Sequence, residues 1–576
     1  MKWIASADII IFDYEFNEEL DIKLLSNYSK LIFSDYKLNK QLFEYYLNDN
    51  LNNLEYKISK FNQDVSVLPP TLTHLTFGHH FNQNVSNLPP FLTKLTFGFL
   101  FNQDVSNLPQ GITHLTFGTY FNQDVSVLPP TITHLTFGTY FNQNVSVLPP
   151  LITHLTFDHC FDQDVSVLPP SLTHLTFDQS FNKDVSVLPP SLTHLTFGSH
   201  FNQDVSVLPP SLTHLIFGSD FNQDVSKLPH NLTYLTFGHD FDQDVSSLPP
   251  TLIHLKLGQC FNQDVSKLPQ TLTHLIFNYY FNKDVSSLPP SLTHLTFGLN
   301  FNKDVSALPL NLTHLTFGRN FNENVSSLPH NLTHLTFGYF FNQDVFDLPP
   351  FITHLTFGSY FNKDISTLPP FITHLTFGDC FNKNVSVLPP TLTHLTFGTF
   401  FNQDVSNLPQ NLKHLIFGYY FNKNVSKLPS TLTHLTFGYE FMQDISNLPN
   451  SITHLTLDSY FYQEITFHPN IKYLKLGSNN KNIINSLPNS IVQLELSKNF
   501  VLQLDNLPTS IKKIVIDENS SYNEDLNCLP NFIEELHLNI KYKKRILNIP
   551  QNLKKLICDQ SYPYKDDFAI CVVEIY

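Results

Sequence analysis

Arginine is almost missing from this chain: among 576 residues it occurs only at Arg319 and Arg545, and the net charge is −16. The basic residues are nearly all Lys, and no basic patch supports nucleic-acid binding. Cysteine is also sparse, with six residues: Cys160, Cys260, Cys380, Cys528, Cys558 and Cys571. The first three share one place in a 20-residue period and lie at least five periods apart. At about 4.8 Å per period that is roughly 24 Å, too far for a disulfide. Reduced thiols and an intracellular, cytoplasmic setting are expected. Long apolar runs are missing too. The start, MKWIASADIIIFDY, is interrupted by Asp8 and Asp13 and lacks a secretory h-region. No stretch approaches the roughly 20 apolar residues of a membrane span. Triplets such as Asn84-Val85-Ser86 and Asn231-Leu232-Thr233 thus read as by-products of the period, not as glycosylation sites.

What is present is one stretch, FNQDVSVLPPTLTHLTFGHH at 61–80, restarted at Phe81, Phe101, Phe121 and onward to Phe441 without a gap. A fixed period of this size marks a solenoid in which each unit contacts its neighbours. Counted from its Phe, the repeat is apolar at positions 1, 5, 8, 12, 15 and 17, here Phe61, Val65, Leu68, Leu72, Leu75 and Phe77. The segment L-T-H-L-T-F reads as a short strand. Leu75 and Phe77 point inward, and His74 and Thr76 outward, by strand alternation. One such strand per repeat builds a parallel sheet. Position 9 is always Pro, which cannot donate to a ladder and belongs off the sheet. Position 18 holds 16 of the 18 glycines, with Asp158, Asp178, Asn278 and Asp458 as exceptions. These residue types tolerate φ > 0, so a left-handed turn is expected after each strand.

The F-N-x-D/N-V-S-x-L-P start and the L-T-H-L-T-F-G end resemble the FNIP repeat family, a leucine-rich-repeat relative abundant in social amoebae and in giant DNA viruses that infect amoebae. Gln63–Asp64 stand where that family's motif carries its third and fourth letters. The resemblance covers most of the chain. It implies a β-rich, leucine-rich-repeat-like right-handed coil with one long parallel β-sheet. If the chain is viral, the host cytoplasm is its setting.

Along the chain, residues 1–60 read as degenerate N-terminal capping repeats. Ile10 and Phe12 fit positions 15 and 17, and Phe16-Asn17 fit positions 1 and 2. Leu31 and Phe33 give a second strand, and Leu51, Leu54 and Tyr56 a third. Residues 61–460 are twenty regular repeats. Residues 461–576 are degenerate C-terminal repeats and a cap, with strands at Leu474/Leu476, Leu494/Leu496, Ile514/Ile516, Leu536/Leu538 and near Leu553/Leu556. The sum is about 28 turns of 20 residues. The apolar tail FAICVVEIY is expected to pair as a last strand or to cover the edge.

Each regular repeat carries Ser, His and Asp, as in Ser66, His74 and Asp64. A catalytic triad is a single shaped site, whereas a residue set copied along a sheet is a structural column. No catalytic, cofactor-binding or metal-ligating residue is assigned, and no cofactor is expected. Position 14 is His in eighteen of the twenty repeats, Lys94 and Tyr234 being the exceptions. An outward ladder of rings is expected, represented by His174, His194, His214, His274, His294 and His314. Adjacent rings raise the alternative of Zn²⁺ or Cu²⁺ loading. Asn at position 2 is expected to hydrogen-bond backbone amides of the turn. Positions 19 and 20 vary and collect aromatics: Tyr279, Tyr280, Tyr339, Phe340, Tyr360, Phe400, Tyr419, Tyr420, Tyr439 and Tyr460. Exposed aromatics are favoured binding anchors.

These features point to a non-enzymatic repeat scaffold that binds another protein through its sheet face and variable turns, with no nucleic-acid or membrane partner. The alternatives are a structural or metal-loaded component, and a substrate-recognition subunit of a ubiquitin ligase by analogy with adaptor-bearing relatives. No adaptor segment is apparent in 1–60.

Overall fold

Every regular repeat contributes one short strand, and the strand is the part of the repeat where side chains alternate. The structure is a computed structural model that describes residues 3–6, 8–20, 25–35, 58–457, 467–477, 481–568 and 571–575. The chain forms two compact units, Met1–Leu292 and Thr293–Tyr576.

In the first unit, β1 (Trp3–Ser6) runs antiparallel to β2 (Ile9–Phe12). β2 pairs in parallel with β3 (Lys30–Phe33), and β3 with β4 (His74–Thr76). The same register, residue to residue twenty apart, then carries the sheet to β14 (His274–Ile276). In the second unit, β15 (His294–Thr296) through β23 (His454–Leu457) repeat it. β24 (Tyr473–Leu476), β25 (Gln493–Leu496), β26 (Lys513–Ile516), β27 (Glu535–His537) and β28 (Lys555–Cys558) follow where the degenerate pattern places them. The tail forms β29 (Val572–Ile575), parallel to β28. A five-residue helix, α1 (Lys481–Asn485), buries Ile483 and Ile484 and has no counterpart in the sequence reading.

The N-terminal region departs from expectation at one point. Phe33 stacks on Phe61 at 3.7 Å, as Phe77 does on Phe81 at 3.6 Å. Phe61 therefore completes the turn that begins at β3, and β3 pairs directly with β4. No strand lies between them in the sheet. Leu51, Leu54 and Tyr56, expected to supply one, lie outside the described residues. The assignment of Phe16-Asn17 holds: Phe16 stacks on Phe61 at 6.0 Å, and Asn17 Oδ1 accepts the Asn62 N–H at 3.0 Å.

The core is two Phe columns. Position 1 is 0% exposed in most repeats and position 17 about as buried, with Leu257 and Leu457 filling the second column without exposure. The spacing of stacked rings changes with depth. Between His114 and His214 the outward rings stand 4.2–4.3 Å apart. Over the same repeats the position-17 rings stand 5.5–6.0 Å apart and the position-1 rings 6.1 Å. The second unit shows the same widening, 4.0–4.3 Å for His and 6.0–6.1 Å for position 1. Repeats thus splay like a fan within each unit, with the open sheet face on the inside of the curve.

The position-18 glycines do not take the expected left-handed backbone. Among the described residues no glycine has positive φ, and the non-glycine residue that does is Asn506, at 58°. Close approach explains the column instead. A Cβ on Gly98 would sit 2.0 Å from the Gly78 carbonyl oxygen, and one on Gly338 would sit 1.7 Å from that of Gly318. Where Asp158 and Asp178 interrupt the column, the strands run one residue further, to Phe157 and Phe177, and the Asp178 N–H bonds the Phe157 carbonyl at 3.1 Å. At Asn278 the side-chain Nδ2 bonds the Leu257 carbonyl at 2.7 Å.

Candidate functional site

The open face is built from position 14 outward. The strand interior buries Leu and leaves His and Thr half-buried. Each His ring is fixed by the Thr before it. Thr113 Oγ1 lies 3.1 Å from the Thr93 carbonyl oxygen and 2.9 Å from His114 Nδ1. The same pair of contacts recurs at Thr133, Thr173 and Thr193, and at Thr313 and Thr373 in the second unit. A hydroxyl has one proton, and the carbonyl can only accept it. Nδ1 is then the donor to Thr Oγ1, so the neutral rings are Nδ1–H tautomers whose Nε2 carries the lone pair.

The ladder bears out the stacking of His174 on His194 and of His194 on His214, both at 4.2 Å, and of His294 on His314 at 4.2 Å. His274 stacks on His254 at 4.2 Å. Tyr234 interrupts the column, with centroids 5.5 Å from His214 and 5.9 Å from His254. A depression lined by Tyr234, His254, His274 and Lys256 lies at that break. Partial burial first, and neighbouring His charges second, hold His134, His174, His194, His334 and His374 below the ordinary imidazole range. At His74 and His114 burial is again the first cause and the Lys94 ammonium the second. The rings stack within about 8–13° of parallel between His114 and His214. Their Nε2 lone pairs therefore lie in nearly parallel planes about 4.2 Å apart. A Zn²⁺ ion needs nitrogens converging at about 2.0–2.1 Å, so adjacent ladder rings do not form a chelating pair as they stand.

Ser, His and Asp of one repeat are not brought together as a triad. Ser66 Oγ donates to Asp64 Oδ2 at 2.7 Å, and its N–H to Asp64 Oδ1 at 3.0 Å, while His74 pairs with Thr73. The Ser hydrogen bonds hold the position-4 carboxyls, such as Asp164 and Asp404, below the usual carboxylate range. Position 2 forms a ladder of its own: Asn102 Oδ1 accepts the Asn122 N–H at 2.9 Å and Gln123 Nε2 at 3.1 Å.

The turn edge carries the aromatics. In the first unit Tyr279 and Tyr280 lie 4.7 Å apart, both more than two-fifths exposed. In the second unit Tyr339, Phe340 and Tyr360 contact one another at 4.9–5.2 Å, and the Arg319 guanidinium lies 4.9 Å from the Tyr339 centroid and 5.4 Å from that of Phe340. Tyr419 contacts Tyr420 at 4.7 Å and Tyr439 at 4.8 Å, and Phe400 stacks on Tyr420 at 5.3 Å. Tyr460 lies outside the described residues. Among those residues all six cysteines are free, and no helix is long and apolar enough to cross a membrane.

A parallel sheet of one short strand per 20-residue turn, with Leu and Phe inside, defines a leucine-rich-repeat-type β-solenoid. Within that class the chain belongs to the FNIP repeat family, whose pattern (FNIP Repeat) matches residues 61–340 and 364–460. Among solved structures it is similar to CroV588, described as a novel circular LRR protein structure. That likeness has 39% identity and a TM-score of 0.81, over 98% of this chain and 90% of the other. A weaker likeness is to YopM from Yersinia enterocolitica, 18% identical with a TM-score of 0.41, over 77% of this chain and 91% of the other. Another is to a chain of the mouse RP105/MD-1 complex, 13% identical with a TM-score of 0.45, over 97% and 93%. No curated protein matches the chain.

Proposed function

We propose that the chain is a non-enzymatic scaffold that captures a protein partner on its turn edge, with the sheet face as the adjoining surface. The cluster of Arg319, Tyr339, Phe340 and Tyr360 carries this reading. Its rings are already packed on one another and on a guanidinium, yet Tyr339, Phe340 and Tyr360 keep 37–47% of their surface exposed. Aromatic side chains held in place before binding lose little entropy when a partner covers them, and they are the residue types that dominate interface energetics. The partner is a protein, since the net charge of −16 disfavours nucleic acid.

The test is affinity purification from the host cell with the wild-type chain and with the double variant Tyr339→Ser/Phe340→Ser, matched for thermal unfolding. A co-purifying protein held by the wild type and lost from the variant supports the reading. Recovery of the same proteins in the same amounts from both overturns it.

A further inference from the structure

One stretch of the turn edge in the first unit has a different character from the aromatic clusters. Position 20 of four successive repeats reads His200, Asp220, Asp240 and Cys260, and position 19 contributes His239. The backbone fixes this column. The Asp220 N–H donates to the Ser199 carbonyl, that of Asp240 to the Ser219 carbonyl and that of Cys260 to the His239 carbonyl, each at 2.8 Å. His239 therefore has Asp240 beside it and Cys260 on the next turn. Its Nδ1 lies 2.5 Å from Asp240 Oδ1 and 3.7 Å from Cys260 Sγ. The donor atoms of all three residues lie within 4.8 Å of one another.

We propose that His239 Nδ1, the Asp240 carboxylate and the Cys260 thiolate form a three-ligand Zn²⁺ site whose fourth position faces solvent.

The donor set selects the metal. A thiolate with an imidazole is a borderline-soft pair that suits Zn²⁺ and not Mg²⁺ or Ca²⁺. The geometry fits as well. Tetrahedral Zn²⁺, with bonds of about 2.3 Å to sulfur and 2.0–2.1 Å to nitrogen, places those two atoms about 3.5 Å apart. The observed separation is 3.7 Å. The His239–Asp240 hydrogen bond has to open: the Nδ1 proton passes to solvent and Nε2 takes one up, which leaves the neutral ring with its Nδ1 lone pair for the metal, and both side chains are about half exposed and free to turn. The two turns that supply the ligands are already tied by the Cys260–His239 backbone bond, so little is left to order on binding.

Burial first, and then Asp240 and Asp242, hold the Cys260 thiol above its ordinary range. The thiol is thus protonated at neutral pH. Binding breaks the S–H bond, passes the proton to buffer and forms the S–Zn bond. Cys160 and Cys380 occupy the same repeat position, but the residues that stand where His239 does for Cys260 are Thr139 and Ser359. They serve as controls within the same chain.

The experiment is a Co²⁺ titration of the full chain followed by Zn²⁺ competition. A thiolate-to-cobalt charge-transfer band that saturates at one equivalent and is displaced by Zn²⁺ is expected. The band should vanish in Cys260→Ser and persist in Cys160→Ser and Cys380→Ser. His239→Asn should weaken Zn²⁺ binding by more than about tenfold. No band with Co²⁺ in excess overturns the proposal, as does an undiminished band in Cys260→Ser. So does Zn²⁺ affinity unchanged in His239→Asn, which would place the ion elsewhere, such as on the ladder.

Discussion

Replacing Gly338 by Ala tests the reading of the glycine column as a close approach between stacked backbones. The new Cβ would lie 1.7 Å from the Gly318 oxygen and 2.4 Å from the Gly318 carbon, where ordinary contact begins at 3.4 Å. Neither neighbour is the end of a flexible side chain, so one turn has to move. That turn is held by the Phe340 N–H to the Arg319 carbonyl at 2.9 Å, and by the Phe337 ring against Phe341 at 3.8 Å. Forcing extra atoms into a packed site costs about 1–3 kcal/mol, and a weakened hydrogen bond adds about 1 kcal/mol. The lower entropy of the unfolded Ala chain returns about 0.4–1 kcal/mol. The net expectation is a loss of about 1–3.5 kcal/mol, confined to the turns around Gly338 because a solenoid opens locally. Gly111 is the control, since a Cβ there meets nothing nearer than the Leu92 oxygen at 3.4 Å. Gly111→Ala is expected to be neutral or slightly stabilising. Native-state hydrogen exchange around the two sites gives the comparison. Equal protection in Gly338→Ala and Gly111→Ala would refute the close-approach account.

Phe217→Ala should cost about 3–5 kcal/mol, because the ring is 2% exposed and stacks on Phe221 at 3.7 Å; unchanged local protease resistance would contradict it. Asn202→Ala removes the acceptor of the Asn222 N–H at 2.9 Å and of Gln223 Nε2 at 3.0 Å, and should cost about 1–3 kcal/mol. Asn202→Asp should restore stability near neutral pH, as Asp162 and Asp242 already fill that role for Asn182 and Asn262; chemical denaturation of the two variants distinguishes a lost acceptor from a lost amide. The lowered ladder histidines mean that the folded chain binds fewer protons than the unfolded chain. Their contribution to stability is complete above the unfolded value of about 6.5 and is lost as pH falls from there to the lowered folded values. Stability measured from pH 8 to pH 5 should decline below pH 6.5, and Lys94→Met should ease that decline near His74 and His114.

The strands and the core were legible because the signal is periodic and redundant. Leu75 and Phe77 face inward in one repeat for the same reason that Leu275 and Phe277 do in another, so the register of a degenerate strand such as Ile514/Ile516 follows by counting. The glycine column was misread because Gly, Asn and Asp suit both a positive φ and a crowded backbone. The carbonyl that a Cβ would strike belongs to a residue twenty positions earlier, and its distance is not written in the sequence. The third N-terminal strand lies outside the described residues, and what the structure shows is that β3 pairs directly with β4. At the candidate site, the ladder and the aromatic positions were visible as columns. The grouping of Arg319 with Tyr339 and Phe340, or of His239 with Cys260, was not. Both sets lie about 20 residues apart, and a search for complementary side chains at that offset would have found them.

The columns differ in how much change they accept, and this places specificity. At position 2 each Asn accepts from the next repeat and donates its own N–H to the previous one. At position 13 the Thr hydroxyl bonds the position-13 carbonyl of the preceding repeat, as Thr113 does to Thr93 and Thr433 to Lys413. Phe at positions 1 and 17 stacks on both neighbours. A substitution in any of these columns therefore disturbs two junctions at once. Positions 19 and 20 are joined by a backbone bond, the position-20 N–H to the preceding position-19 carbonyl, as in Tyr140 to Thr119 and Tyr360 to Tyr339, while their side-chain contacts differ from repeat to repeat, a Ser359–Asp379 hydrogen bond in one place and a Phe400–Tyr420 stack in another. That bond forms whatever the side chains are. The turn edge can therefore hold His and Cys in one stretch and Tyr and Phe in another while the scaffold beneath stays the same.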